Sequence, residues 1–363
     1  MIINKNQKLM RALLWPPAKL YELAVRLRVA AYETDYLKQK SLDATVISVG
    51  NLTLGGTGKT PMAQFIARFL RDEEQAVAIL TRGYARKSSG MRVINDTRVQ
   101  SGSAPDASYR EFGDEPVMLA RSLPGVPIIV SKDRHEAGRW AEREMGTRVL
   151  VLDDGFQHLA LARDLNILLI DATDPFGDFD MPPFGRLREP LYGLRRADAV
   201  IITRADHAFD QAQTLRLIKQ YCGDRVPVMY FYSTIVELRH LATGEVYDAK
   251  SFTGWNAALA CGIANPQAFA EDIVQIGINI VSENFFPDHH PFTEPDLDQI
   301  TRAAREAGAD AIITTEKDAV RMEGLKHGDV PIYAARIEIG SDDEVRLKSL
   351  LLRTVSARQK AKS

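Results

Sequence analysis

The sequence is poor in cysteine, and the two cysteines that it has are not spaced for a disulfide framework or a metal site. Cys222 and Cys261 lie 39 positions apart in a chain of 363 residues. This excludes paired-cysteine zinc sites and favours the reducing cytoplasm. The sequence also lacks an uninterrupted apolar run as long as a membrane-spanning helix. We therefore expect neither a secretory signal nor a transmembrane segment.

The sequence has no strong excess of charge of either sign. Lys and Arg number 46 against 48 Asp and Glu, which gives a formal net charge of -2. Nucleic-acid-binding proteins usually carry a pronounced basic surface, so we expect no nucleic-acid partner. Residues 1–40 nevertheless carry eight cations and three acids, a net charge of +5, and the remainder carries -7. No feature of the sequence indicates an oligomer.

Short β-branched segments alternate with helical patterns after Ser41. The segments are TVISVG, AVAIL, VPIIV, VLVL, NILLI and AVIIT. This alternation predicts a mostly parallel sheet with helices on both faces, an α/β fold. We predict a catalytic α/β/α domain over residues 41–226, a two-stranded hairpin linker over 227–252, a smaller α/β/α domain over 253–340, and a C-terminal helix and tail over 341–363.

Residues 1–40 are predicted to form an amphipathic helical segment. Pro16 and Pro17 are expected to start the helix. Its apolar residues recur at helical spacing; they are Leu20, Leu23, Ala24, Leu27 and Ala31. Two interpretations stay open: this face packs on the core of the protein, or it lies with Trp15 and Tyr21 on an anionic membrane surface.

A glycine-rich loop joins the first predicted strand to a helix in VISVGNLTLGGTGKTPM, residues 46–62. In the P-loop pattern G-x-x-x-x-G-K-[ST], the lysine binds the β and γ phosphates and the hydroxyl binds Mg²⁺. Thr53 replaces the first glycine of this pattern, whereas Gly58, Lys59 and Thr60 match it. Backbone N–H groups of such a loop bind anions together with the helix N-terminus. The predicted nucleotide-binding residues are Thr53, Leu54, Gly55, Gly56, Thr57, Gly58, Lys59 and Thr60.

A pair of acids follows the buried strand in VLVLDDGFQH, residues 149–158. Asp153 and Asp154 therefore lie at the carboxyl end of a parallel strand, where such sheets bind ligands. Two adjacent carboxylates repel each other unless a cation lies near them. We predict that both, together with Thr60, bind Mg²⁺.

Further polar residues are candidates for the chemistry at an acceptor hydroxyl. Asp114 in EFGDEP is a candidate base, because phosphoryl transfer to an alcohol needs a carboxylate near the attacking hydroxyl. Arg186 and Arg188 in GRLREP are candidates to bind an anionic substrate. The pair His289 and His290 is poorly spaced for a metal site, and an Asp–His pair with Asp114 makes better chemical sense.

These segments resemble those of the tetraacyldisaccharide 4'-kinase (lipid A 4'-kinase) family, in the same order, from the N-terminal helix to about Ile339. The segments are GNLTLGGTGKTP, TRGYARK, FGDEP, VSKDRHEAG, VLDDGFQHLALARDLNILLID, GRLREP, CGIANPQAF, FFPDHHPFT and TTEKDAVRM. The combination is far more specific than the glycine loop alone.

The resemblance implies a P-loop kinase-like fold and an enzyme that requires ATP and Mg²⁺. Such an enzyme transfers the γ-phosphoryl group to the 4'-hydroxyl of a tetraacyl glucosamine disaccharide 1-phosphate and forms lipid IVA in lipid A biosynthesis. The implied location is the cytoplasmic face of the bacterial inner membrane, as a peripheral protein. The implied catalytic residues are Asp114 and His289, with His290 as the alternative histidine.

Two other kinds of protein share a phosphate loop and stay as alternatives. A P-loop ATPase that acts as a membrane-surface switch usually has a lysine where this chain has Leu54. A GTPase reads guanine with T-K-x-D, which Thr203-Arg204-Ala205-Asp206 matches in part. A third alternative is a membrane-surface scaffold that binds nucleotide without chemistry.

Overall fold

The computed structural model describes residues 5–84, 86, 88–94, 105–207, 209–326 and 328–362, with backbone alone for 5–13 and 105–108. The helices are α1 (Lys5–Glu33), α2 (Lys59–Asp72), α3 (Pro105–Phe112), α4 (Asp114–Ser122), α5 (Arg134–Met145), α6 (Gln211–Cys222), α7 (Pro266–Gln275), α8 (Glu294–Glu306), α9 (Glu316–Met322) and α10 (Glu344–Lys360). The strands are β1 (Thr45–Asn51), β2 (Val77–Thr81), β3 (Arg92–Ile94), β4 (Ile128–Val130), β5 (Val149–Asp153), β6 (Leu165–Asp171), β7 (Ala199–Thr203), β8 (Val228–Tyr230), β9 (Tyr232–His240), β10 (Val246–Asp248), β11 (Asn256–Cys261), β12 (Asn279–Phe285), β13 (Ala311–Thr315) and β14 (Ile332–Gly340).

Several helices begin at a residue whose side chain caps the first turn. Thr293 and Asp296 form a capping box at the start of α8. Asn265 caps α7, and Thr315 caps α9. These side chains accept hydrogen bonds from N–H groups that have no partner inside the helix, which typically stabilises a helix by about 1 kcal/mol. The start of each of these helices is therefore encoded locally.

Contacts within the chain divide it into two compact units, each assembled from separate stretches. The first unit contains residues 1–59, 134–231 and 341–363, and the second contains 60–133 and 232–340. The predicted domain bounds instead placed residues 60–133 with the glycine loop. The two units defined by contacts therefore differ from the predicted domains, and the bounds of the functional domains stay a prediction.

In the first unit, parallel strands pair in the order β5-β1-β6-β7-β8. Val46 of β1 pairs with Leu150 of β5, for example. Successive residues of a strand point to opposite faces, and Ile167 and Leu168 of β6 are both fully buried. Both faces of these strands are therefore covered, which is the usual state of a parallel sheet. The predicted α/β fold with mostly parallel strands is confirmed.

In the second unit, strands pair in the order β3-β4-β2, and a six-stranded sheet has the order β10-β9-β14-β13-β11-β12. The predicted hairpin is present, because Val246 of β10 lies opposite Arg239 of β9 in an antiparallel pair. Strand β9 also pairs with β14, so the hairpin forms the edge of this sheet. Its core includes Phe252, Leu259 and Ile313.

Helix α1 packs on the first unit through a face that the sequence pattern did not indicate. Ala18 and Val29 are buried, and Val25 packs against the core that contains Phe156. The predicted apolar stripe instead faces outward; its leucines are Leu20, Leu23 and Leu27, which are 69%, 50% and 62% exposed. The helix therefore docks on the core, as one interpretation expected, but its predicted leucine stripe does not take part in the docking.

The predicted start of α1 is also wrong. The helix begins at Lys5 and continues through Pro16 and Pro17 for 29 residues. A proline inside a helix removes one backbone hydrogen bond and strains the preceding turn. It does not end a helix whose other hydrogen bonds outweigh this cost. Within the described ranges, no helix has both the length and the apolar character needed to span a bilayer.

Candidate active site

The glycine loop lies between the end of β1 and the start of α2, as the sequence predicts. Gly55 and Gly58 have φ values of 118° and 79°, a region that residues with a Cβ rarely adopt. The space beside Gly56 is open, because an added Cβ would meet no atom within 4 Å. Such a loop lets its backbone approach an anion closely, and α2 directs N–H groups toward the same end.

Lys59 lies at the first position of α2, with only 12% of its side chain exposed. Its Nζ donates to the carbonyl oxygen of Gly55 at 3.3 Å and lies 3.8 Å from Oδ1 of Asp154. The structure thus brings the loop lysine and one of the two predicted metal-binding acids together. Thr60 follows as the second residue of the helix.

Asp153 and Asp154 lie at the carboxyl end of β5, as expected. Asp153 is buried, whereas Asp154 adopts a left-handed φ of 53° at the first position after the strand. Surrounding protein opposes ionisation of Asp154, but the charges of Lys59 and Arg188 outweigh this effect and lower its pKa. The Asp154 carboxylate is therefore ionised at neutral pH.

The two arginines of GRLREP have different partners. Nη1 of Arg188 donates to both carboxylate oxygens of Asp154, at 2.8 Å each. Arg186 pairs with Asp174 instead. The structure therefore places the side chain of Arg188 with the predicted phosphate and metal residues. Arg186 meets the glycine loop through its backbone, because its carbonyl oxygen accepts a hydrogen bond from the N–H of Leu54 at 2.6 Å.

The chemistry of these donors fits a magnesium ion. Mg²⁺ prefers oxygen ligands, and it is usually bound by one or two carboxylates with the phosphates of the substrate supplying further oxygens. Asp153, Asp154 and the hydroxyl of Thr60 are donors of this kind. No group of three or more His, Cys, Asp or Glu side chains that could bind a metal alone exists among the described residues.

Thr203 and Arg204, which belong to the partial match to the guanine-binding motif of GTPases, form hydrogen bonds with the glycine loop. The hydroxyl of Thr203 donates to the carbonyl oxygen of Thr57 at 3.1 Å, and Arg204 donates to that of Gly56 at 3.1 Å. Arg204 also pairs with Asp171. These side chains support the loop from the neighbouring strand β7, which argues against a role in reading a base.

In the second unit, Asp114 and His289 form a hydrogen-bonded pair. Asp114 is the first residue of α4 and is 5% exposed. Its Oδ2 lies 3.0 Å from Nδ1 of His289, and its Oδ1 accepts a hydrogen bond from the backbone N–H of Glu115 at 2.9 Å. Gly113 precedes it with a φ of 97°, so the turn before α4 requires a glycine.

The surroundings of Asp114 favour its charged form. Burial alone would raise its pKa, but the hydrogen bond to His289 and the charges of Lys317 and Arg321 outweigh burial and lower it. Asp114 therefore accepts hydrogen bonds as a carboxylate at neutral pH, which is the state a base requires.

The two adjacent histidines have separate environments. His289 adopts a left-handed φ of 61°, and its ring centroid lies 4.9 Å from that of Tyr84. His290 points to Asp296, with Nε2 3.1 Å from Oδ2, and stacks on Phe286 at 4.6 Å. Of the two, only His289 contacts Asp114 among the described residues.

Sequence reasoning assigned no role to Lys317 and Arg321, which also contact this pair. Nζ of Lys317 lies 3.1 Å from Nε2 of His289, and Nε of Arg321 lies 3.5 Å from Oδ2 of Asp114. Both residues are on α9, one helical turn apart, directly after the carboxyl end of β13. Their position just after the end of a parallel strand could have identified them as candidate site residues, because the same position identified Asp153.

A buried ion pair anchors α9 beside this site. Asp318 is fully buried, pairs with Arg321 and accepts a hydrogen bond from the N–H of Gly262 at 3.0 Å. Arg321 donates to the carbonyl oxygen of His290 at 2.8 Å. The pair thus links the loop that carries the histidines to α9.

A pocket of about 340 Å³ lies in the first unit beside α1. It is lined by Trp15, Ala18, Lys19, Glu22, Asp180, Met181 and Phe184. Its lining combines apolar side chains with the charged side chains of Lys19, Glu22 and Asp180.

Known proteins match this chain over almost its whole length. The sequence profile of the tetraacyldisaccharide-1-P 4'-kinase family matches residues 10–356. The tetraacyldisaccharide 4'-kinases of Geobacter sulfurreducens and Geobacter metallireducens are each 38% identical over 95% of this chain, and over 93% and 98% of their own lengths. The crystal structure of LpxK from Aquifex aeolicus in complex with ATP is similar with a TM-score of 0.72 and 30% identity, over 95% of this chain and 99% of that one.

Proposed function

Since this chain belongs to the tetraacyldisaccharide 4'-kinase family, we propose that its glycine loop and its Asp114–His289 pair act together in one phosphoryl transfer. The chain is an ATP-dependent kinase of lipid A biosynthesis with a P-loop kinase-like α/β fold. It phosphorylates the 4'-hydroxyl of a tetraacyl disaccharide 1-phosphate, and the product is lipid IVA. The alternative of an ATPase or GTPase switch is not favoured by these relatives.

The nucleotide half of the proposal involves residues 53–60. Backbone N–H groups of the loop and of the first turn of α2 would bind the phosphates of ATP, and Lys59 would neutralise charge on the β and γ phosphates. Asp153, Asp154 and Thr60 would bind Mg²⁺, which supplies charge compensation at the transferring group. Arg188, already paired with Asp154, would keep that carboxylate in place.

The acceptor half involves Asp114 and His289. The carboxylate of Asp114 would accept the proton of the sugar hydroxyl, and the hydroxyl oxygen would bond to the γ-phosphorus. As this bond forms, the bond between the γ-phosphorus and its bridging oxygen would break, and ADP would leave with that oxygen. Because the transition state of phosphoryl transfer is loose, a weakly basic carboxylate that orients the hydroxyl is sufficient.

The buried, ionised Asp114 bonded to His289 is the observation that carries this proposal. A nucleotide-dependent switch or scaffold has no need for a general base, whereas phosphoryl transfer to an alcohol uses a carboxylate in that role. An isolated buried carboxylate is costly, so its hydrogen bonds and neighbouring cations indicate a site that is built to keep the charge.

The test is an assay with ATP, Mg²⁺ and a tetraacyl disaccharide 1-phosphate in detergent micelles. Wild-type protein should form a lipid with one additional phosphate. Asp114→Asn keeps the shape of the side chain and removes the base, so kcat should fall by about 10²–10⁴-fold while ATP binding stays nearly unchanged. Asp298→Asn, at an exposed position of the same unit, is the matched control and should keep full activity. Full activity of Asp114→Asn would remove that residue from the mechanism.

We also propose that α1 lies on the cytoplasmic surface of the inner membrane. A lipid with four acyl chains is embedded in a bilayer, so the enzyme must reach that surface to phosphorylate the sugar. The exposed leucines of α1 and its cations Lys19, Arg26 and Arg28 have the character of an interfacial helix. The pocket beside α1 would then receive an apolar part of the substrate.

A further inference from the structure

We propose that Lys317 is a positioning residue that fixes which nitrogen of His289 carries the proton, and that it thereby orients the carboxylate of Asp114. This inference rests on the proposed role of Asp114 in phosphoryl transfer. It adds to that role a residue on a different element, α9, which acts through the histidine and does not contact the reacting atoms.

The ammonium group of Lys317 lies among three acceptors. Its Nζ is 3.1 Å from Nε2 of His289, 3.4 Å from Oδ1 of Asp288 and 3.3 Å from Oε1 of Glu115. An ammonium group has three N–H donors and no acceptor. The three surrounding atoms therefore match its donors in number, and only 17% of the side chain is exposed.

The charge state of Lys317 supports this assignment of donors. Burial alone would lower its pKa, but the nearby carboxylates of Glu115, Asp114 and Asp288 outweigh burial and raise it. Lys317 is therefore protonated at neutral pH, and its nitrogen has no lone pair with which to accept a hydrogen bond.

The tautomer of His289 follows from these contacts. Because Lys317 only donates, Nε2 of His289 must accept, and the ring proton must be on Nδ1. Nδ1–H then donates to Oδ2 of Asp114, 3.0 Å away. The opposite tautomer would place an N–H against the ammonium and a lone pair against the carboxylate, so both contacts would become repulsive.

The carboxylate of Asp114 is fixed at both oxygens by this arrangement. Oδ1 accepts from the backbone N–H of Glu115, and Oδ2 accepts from His289. Its direction therefore depends on His289 having its proton on Nδ1. Orientation of a catalytic group contributes strongly to rate, since a small misplacement lowers reactivity by orders of magnitude.

The first measurement reads the tautomer directly. Long-range ¹H–¹⁵N correlation spectra of ¹⁵N-histidine-labelled protein, with His289 assigned through His289→Gln, should show Nδ1 protonated in the wild type. Lys317→Met removes the donor and keeps most of the volume, so the His289 signals should shift toward the Nε2–H tautomer. Lys317→Arg retains a cationic donor and should keep the wild-type pattern. An unchanged His289 tautomer in Lys317→Met would overturn the proposal.

The second measurement is kinetic. In the lipid kinase assay, Lys317→Met should lower kcat by about 10–100-fold, with KM for ATP nearly unchanged, since the orientation of the base is lost and nucleotide binding is not. Lys326→Met, at an exposed lysine of the same unit, should behave as wild type. A tautomer that changes while kcat does not would also overturn the proposal.

Two controls distinguish a variant that fails to fold from one that folds but has lost the proposed role of Lys317. Unfolding midpoints of all variants identify a general loss of structure, and Lys317→Ala provides a second variant without the donor should Lys317→Met fail to fold. The spectra require no substrate, so they decide the tautomer even if no lipid product forms. Absence of product with the wild type would instead refute the proposed function.

Discussion

Asp154 and His289 both adopt the left-handed region of backbone conformation, with φ values of 53° and 61°. For residues other than glycine this region costs energy, of order 1–3 kcal/mol in strained cases, although Asp and His tolerate it better than most. The surrounding structure therefore has to impose it at both positions. In each case the carboxylate or imidazole makes a contact within a candidate site, which supports a functional reason for the strain.

Glu316 is another acidic residue with an unusual environment. It is the first residue of α9, and burial raises its pKa to about 7 despite the nearby charges of Arg336, Arg239 and Arg68. These arginines have other carboxylate partners. The pairs are Arg336 with Glu237, Arg239 with Glu323, and Arg68 with Glu338. The attraction of these arginines for the Glu316 carboxylate is therefore too weak to offset the cost of removing that carboxylate from water.

Glu316→Gln should stabilise the protein at alkaline pH. A carboxyl group whose pKa is raised in the folded state stays protonated while the unfolded chain ionises, so stability falls as pH rises from about 4.5 to 7. Glutamine does not ionise, so its advantage should be absent at pH 4 and reach up to about 3 kcal/mol at pH 8. Thermal unfolding at both pH values measures this. An equal midpoint for the two proteins at pH 8 would contradict the assignment.

At the scale of the element, α1 exposes apolar side chains that the described part of the chain leaves largely uncovered. Leu20, Leu23 and Leu27 lie on one side of the helix, while Ala18 and Val29 face the first unit. A row of exposed leucines on a cationic helix is typical of a segment that lies in the interface of a bilayer.

Replacing the three leucines should abolish binding to anionic vesicles. The variant Leu20→Ser/Leu23→Ser/Leu27→Ser should bind vesicles of phosphatidylethanolamine and phosphatidylglycerol at least about 100-fold more weakly than wild type, because each buried leucine contributes about 1.5–3 kcal/mol. Co-sedimentation measures the affinity. The matched control replaces three exposed valines elsewhere, Val274, Val281 and Val345. Comparable losses in both variants, or none in either, would rule out a specific role for α1.

The sequence predicted well those elements whose pattern of apolar residues follows directly from how they are buried. Strands such as β1, β5, β6 and β7 are short runs in which apolar residues predominate, because a strand covered on both faces buries nearly all of its side chains. The orientation of α1 could not be predicted in this way, because a leucine stripe has the same pattern whether it faces protein or lipid. The sequence also placed Asp153 and Asp154 at a strand end, since that position follows from the strand itself.

The contacts of Lys317 could not be predicted from its neighbours in sequence. A cation in the first turn of a helix usually faces water, and its burial against Glu115 and His289 depends on residues that are about 200 and 28 positions away. The choice between His289 and His290 depended on tertiary structure for the same reason. Local patterns predict elements, whereas partners of charged side chains are set by packing between elements.

At the scale of the whole molecule, each unit is assembled from stretches that are far apart in the sequence. The last stretch of the first unit, residues 341–363, contains α10. Leu347, Leu351 and Val355 of this helix are buried, and Arg358 donates to the carbonyl oxygen of Leu42 at 2.7 Å. Helix α10 therefore packs against β1, the strand that leads into the glycine loop.

Removal of residues 341–363 should unfold the first unit. Burial of three large apolar side chains contributes about 5–9 kcal/mol, which is comparable with the total stability of a domain. The truncated protein should no longer bind ATP in calorimetric titrations, and strands β1 and β6 should lose protection from hydrogen exchange. Leu351→Asp should act in the same direction, whereas Arg353→Asp, on the exposed side of α10, should not. Retained ATP binding after truncation would contradict this account.

The late position of α10 also bears on how the enzyme is made. At about 5–20 residues per second, a ribosome needs roughly 15–60 s to proceed from the glycine loop to this helix. During that interval the nascent polypeptide carries an apolar strand that its final cover cannot yet reach. The first unit can thus be completed only after α10 has been synthesised, and until then its apolar strand has to be kept from contact with other chains.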